Sequence, residues 1–140
     1  MAGQDALLKD AALNGTNVLP AAAATTSTSL IDLENGPYGQ FSPNRVEFSL
    51  TIPSLSPTQL PNSTSIAYAI YTSDVATTNS ASAVAMNIAT TVYANASSGT
   101  AASSIVFRLP YSSHRYLFAN ATAAASTLAT TATMTLAVLF

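Results

Sequence analysis

Residues 45–53 read RVEFSLTIP. In an extended chain successive side chains point to opposite faces, so Val46, Phe48, Leu50 and Ile52 share one side. Arg45, Glu47, Ser49 and Thr51 share the other. This alternation predicts a strand with one face on a core and one toward water, and Pro53, which has no N–H for a ladder, ends it.

The same period recurs on either side. SIAYAIYTS (65–73) turns Ile66, Tyr68 and Ile70 inward. Val84, Met86 and Ile88 alternate next, and Val92 and Tyr93 are assigned to a further short strand before Ser97-Ser98-Gly99. Ile105, Phe107 and Leu109 form one strand, Tyr116 and Phe118 the next, and PYSSH between them has the length of a hairpin loop. TMTLAVLF (133–140) places Met134, Leu136, Val138 and Phe140 on one face. Upstream, Leu30, Asp32 and Glu34 alternate with Ile31 and Leu33 until Asn35-Gly36-Pro37 breaks the pattern. Pro53, Pro57 and Pro61 mark a loop across the domain edge, and residues 74–82 a polar loop.

Seven or eight short strands without a long helix predict an all-β fold, an antiparallel β-sandwich or jelly roll over residues 29–140. Its expected core is Val46, Phe48, Leu50, Ile52, Ile66, Tyr68, Ile70, Phe107, Leu109, Tyr116, Phe118, Leu136 and Val138.

Residues 1–28 read differently. DALLKDAALNG (5–15) has the spacing of a helix too short to stand alone, and Pro20 with the AAAATTSTS run gives an extended N-terminal arm. Ordering a residue costs roughly 1–2 kcal/mol of backbone entropy, and this run has little apolar area to offset it. The arm is therefore expected to lie on a neighbouring subunit, anchored by Leu7, Leu8, Leu13, Val18 and Leu19.

Composition narrows the function. The 140 residues include 27 alanines, 19 threonines and 18 serines, but only 7% are charged, against roughly 25% in ordinary globular domains. Small proteins normally stay soluble by wearing charge, so this surface points to a protein that spends its life assembled, or to a secreted one. The net charge is −2, and the four cations, Lys9, Arg45, Arg108 and Arg115, are scattered, so no nucleic-acid partner is expected. No apolar run is long enough to span a bilayer, and Asp5, Lys9 and Asp10 occupy the place of a signal peptide's apolar segment, so no membrane partner is expected either. The absence of cysteine removes disulfides and thiolate chemistry together. Asn14, Asn62, Asn95 and Asn120 head Asn-X-Ser/Thr sequons, read here as chance in a chain so rich in these residues.

Several groups invite a catalytic reading. Ser112, Ser113 and His114 suggest a nucleophile with its base, and Arg108 and Arg115 an anion clamp. A serine-histidine device needs groups converging from separate parts of a rigid frame, which sequence neighbours in one loop do not supply, so His114 is expected to face solvent. Asp32 and Glu34 share a strand face but fall far short of the six to eight oxygen ligands of calcium, and are expected at a solvated edge. Tyr68, Tyr71, Tyr93, Tyr111 and Tyr116 are spread over too many segments to make one sugar platform. Arg115, at a strand start, can fork onto the carbonyls or carboxylate of a neighbouring strand. No catalytic residue, cofactor or metal site is expected.

Three pieces in order carry a family resemblance. They are Ile31-Asp32-Leu33 after the Ser/Thr-rich run, Ser73-Asp74-Val75 after a central strand, and Pro110 through Arg115-Tyr116 before the last strands. The arrangement, over roughly residues 28–140, resembles the jelly-roll cement, or decoration, proteins of tailed bacteriophage capsids. It departs at the proline-rich segment 53–61 and at residues 83–104. The resemblance implies a homo-oligomer, a dimer or trimer, made in the host cytoplasm and carried on the outside of the virion. There it would bridge subunits of the major capsid protein and stabilise the head. A carbohydrate-binding or adhesin-type sandwich is the alternative.

Overall fold

The computed structural model describes residues 13–33, 46–94, 99–110, 113–124, 129 and 131–139. Among them nine strands form: β1 (Asn14–Val18), β2 (Thr25–Ser27), β3 (Ile31–Asp32), β4 (Glu47–Ile52), β5 (Ser65–Ser73), β6 (Val84–Tyr93), β7 (Ser103–Phe107), β8 (Tyr116–Ala123) and β9 (Thr133–Leu139). One sheet runs β1-β9-β4-β7, the other β2-β8-β5-β6, with β3 also paired to β8. All pairings are antiparallel. Six of the eight connections cross from one sheet to the other, and the strand order of the two sheets is that of a jelly roll.

The decisive stretch behaves as its pattern requires. Phe48, Leu50 and Ile52 are buried, and Phe48 lies opposite Phe107 with the rings stacked at 5.7 Å. From the facing sheet come Ile66, Tyr68 and Ile70, and from β9 come Met134, Leu136 and Val138. The inner side of β8 is narrow. Ala119 and Ala121 stand directly beside Ile70 and Tyr68, so small side chains make room for large ones.

That packing reverses the expected face of β8. Leu117, Ala119, Ala121 and Ala123 fill the core, while Tyr116 and Phe118 are on the outer side. Phe118 is nonetheless fully buried, stacked on Tyr71 at 5.6 Å. The loop after β5 bonds back to Ser73 through the Ser82 carbonyl and reaches β2 where Ser27 donates to the Thr78 carbonyl. Since β8 lies between β5 and β2, the loop passes across β8.

Three further expectations are corrected. PYSSH is not a hairpin loop: β7 pairs with β4 and β8 with β5, so residues 108–115 cross from one sheet to the other. Both edges of β8 are already taken, by β5 on one side and by β2 and β3 on the other, which leaves no ladder for β7. Secondly, Val84–Tyr93 is one strand rather than two; a register shift opposite Ala69/Tyr71, with Asn87 at φ 56°, is absorbed without losing the alternation of Met86, Ile88 and Val92.

Thirdly, the arm expected over residues 1–28 is part of the sandwich from Leu13 onward. β1 pairs with β9 over five residues, and β2 with β8 over three. Apolar area is the wrong measure for such a segment, because its main chain completes a ladder whose open edge would otherwise need water. Within β1 the close approach at Gly15 depends on a missing side chain, for a Cβ there would lie 2.4 Å from the Ser29 carbonyl oxygen.

Candidate functional site

Asp32, Asp74, His114 and Arg115 gather where β3, β8 and the end of β5 meet. Asp32, Tyr116 and Ser73 form one row across these strands. Arg115 precedes Tyr116 and forks onto Asp32, its Nε donating to Oδ1 at 3.0 Å and its Nη2 to Oδ2 at 2.8 Å. Its guanidinium lies 5.0 Å from the centre of the Tyr116 ring. The fork onto a neighbouring strand's carboxylate is thus present. It also means that Asp32, with a side chain only 19% exposed, is no solvated edge residue; Glu34 lies outside the described residues.

His114 is held rather than free in solvent. Its Nδ1 is 2.7 Å from Asp74 Oδ2, and its backbone N–H donates to Thr72 Oγ1 at 3.3 Å. Asp74 is the first residue after β5, so the pair ties the sheet-crossing segment to the loop that follows β5. Ser113 Oγ is buried without a hydrogen bond among the described residues, and no described serine hydroxyl is bonded to His114. Ser112 lies outside the described residues. What this corner does chemically is neutralise opposite charges and fix two loops.

The expected interface anchors separate. Leu13 and Leu19 are buried in the chain's own core and so cannot anchor it to a neighbour, whereas Val18 is exposed. Leu7 and Leu8 lie outside the described residues. The tyrosines also scatter: Tyr68 is between the sheets, Tyr71 is against Phe118, Tyr116 is beneath Arg115, and Tyr93 is exposed at the far edge of β6. Tyr111 lies outside the described residues.

A different feature stands out on the surface, and period two alone did not single it out. The outer side of the β1-β9-β4-β7 sheet carries Thr16, Thr135, Thr51 and Ser104 in one row across four strands. The next row is Asn14, Ala137, Ser49 and Val106. Charge enters at one end, where Arg108 Nη2 meets Glu47 Oε1 at 3.0 Å and the two cancel. Short side chains leave a flat surface, and hydroxyls can donate or accept. Such a face suits docking against another flat polar surface with little long-range field. The signal was in the sequence as the second half of each alternation, but hydroxyl residues read there only as solvent-facing.

Among the described residues no group of three or more His, Asp or Glu side chains is placed to hold a metal ion, and no helix is long and apolar enough to cross a membrane. Compared with family models, curated proteins and solved structures, the chain finds no match in any of the three.

Proposed function

We propose that this protein is a structural component of a virus particle, a cement protein that binds the outside of a major capsid protein lattice and stabilises the head. The observation that carries the reading is the flat hydroxyl-bearing face of the β1-β9-β4-β7 sheet, whose only charges among the described residues are the mutually paired Glu47 and Arg108. Three features support it together: this face, a chain with 7% charged residues, and the resemblance of its ordered motifs to jelly-roll decoration proteins. The fold alone supports no function, since jelly rolls serve many.

The test is co-sedimentation of the purified protein with expanded capsid heads. Saturable binding is expected, and Thr51→Lys or Thr135→Lys should weaken it by placing an unpaired charge in the middle of the contact. Absence of affinity for heads sinks the reading, and binding to a glycan array would favour the carbohydrate-binding alternative.

A further inference from the structure

We propose that two copies of this chain pair along the free edge of β6 to form a twofold dimer with a sheet continuous across both. The two open sides of the sandwich are not alike. On the β1/β2 side hydrogen bonds close the gap between sheets: Thr16 N–H to Ser29 Oγ at 3.3 Å, Ser29 N–H to the Thr16 carbonyl at 3.4 Å, Asn17 Nδ2 to the Ser27 carbonyl at 2.6 Å, and Thr26 Oγ1 to the Val18 carbonyl at 2.8 Å. On the β6/β7 side no hydrogen bond among the described residues crosses from one strand to the other.

The β6/β7 seam is apolar as well as open. Met86, Ile88, Val92 and Ile105 point toward the core yet remain partly exposed, and Val106 and Tyr93 beside them are 54% and 70% exposed. Among the described residues β6 bonds to β5 alone, so ten residues of main chain end the sheet with one side of their ladder unused.

Edge strands normally carry a lysine, a proline or an inward charge that prevents pairing with another chain. Neither VAMNIATTVY of β6 nor SSIVF of β7 has any of these. The bulge at Asn87 interrupts one end, leaving Ile88–Tyr93 as the straight run on which a partner strand would lie.

A second copy fits this edge for three reasons. An uncharged strand meets its own copy without repulsion. Antiparallel pairing about a twofold consumes the edge in both partners and so closes instead of growing into a fibre. The area suits a weak, reversible pair: six residues span about 20 Å, and two layers with their outer side chains are about 20 Å deep. That gives roughly 400 Å² on each copy, in the range of weak, transient interfaces. The pairing needs no capsid and stands apart from the cement reading.

The experiment is sedimentation equilibrium of the full chain over a range of concentrations, together with amide hydrogen exchange. A dimer is expected, with β6 amides that face away from β5 protected at high concentration and exchanging on dilution. Thr91→Lys and Ala89→Lys, both exposed on the outer side of β6, should each raise the dissociation constant by on the order of tenfold through like charges brought together across the axis. Thr135→Lys, on the far sheet, should leave it unchanged, with circular dichroism confirming that each variant is folded. A monomer at every concentration, a trimer, or a dimer broken by Thr135→Lys but not by the β6 variants would overturn the proposal. Loss of head binding with the dimer intact would touch only the cement reading.

Discussion

Tyr68 lies between the sheets with its hydroxyl buried and, among the described residues, without a hydrogen bond. Burial pushes the phenol well above the ordinary tyrosine value of 10.0. The unfolded chain therefore releases this proton at a pH where the folded chain keeps it, and stability falls as pH rises above about 10. Tyr68→Phe should flatten that alkaline slope in urea unfolding measured at several pH values. At neutral pH it should be neutral or stabilising by up to about 1 kcal/mol, because it removes an unsatisfied polar group and keeps the ring. A second residue-scale case is Arg115, whose fork on Asp32 joins positions far apart in the chain. Arg115→Ala should cost about 1–2 kcal/mol, below the full value of two charge-assisted bonds because the guanidinium is partly in water. Arg115→Lys should recover only part of it, since an ammonium cannot fork. Equal melting temperatures for wild type and Arg115→Ala would show that the fork holds nothing in place.

At the scale of elements, β1 is the clearest test. It covers the edge of β9, and its flanks supply Leu13 and Leu19 to the core. Deleting residues 1–24 removes both leucines, each worth about 1.5–3 kcal/mol when fully buried, and uncovers the β9 ladder as well. That loss is comparable to the 5–15 kcal/mol by which a domain is stable, so the truncated chain should show no cooperative melting transition. A soluble truncated chain that melts like the full one would mean that the first strand is an accessory. Gly15→Ala probes the same element more finely. The new Cβ would press on the Ser29 carbonyl, and a cost of about 1–3 kcal/mol is expected in denaturant unfolding, as for other overpacked sites.

For the whole molecule the governing fact is where charge is missing. On the described surface the charged side chains Asp32 and Arg115, and Glu47 and Arg108, stand in close pairs, Asp74 lies against His114, and the flat face away from the Glu47–Arg108 pair carries no charge. Binding through that face draws on contact and hydrogen bonding rather than on steering by charge. On the proposed cement role, affinity for capsid heads should then change less than about threefold between low and high salt, where a charge-driven interface weakens steeply. Co-sedimentation at two ionic strengths measures this. A steep loss at high salt would assign the contact to another surface.

The sequence by itself determined the inward faces of β4, β5 and β9. There bulky apolar residues alternate with small or polar ones, and burying one set while turning the other outward leaves a single register. It also determined the all-β class, the proline-rich loop, the sparse charge and the capacity of Arg115 to fork. It did not determine the face of β8, because Tyr116-Leu117-Phe118-Ala119 is buried on both sides and the alternation carries no contrast. The partner of Arg115 in Asp32, the fastening of His114 by Asp74, and the separation of β7 and β8 into different sheets were likewise decided by tertiary structure. So was the folding of residues 13–28 into the sandwich. In each case the reason is that a backbone ladder accepts any side chain. Which strand completes which edge depends on what else is left unpaired, and that is settled only when the whole sandwich closes.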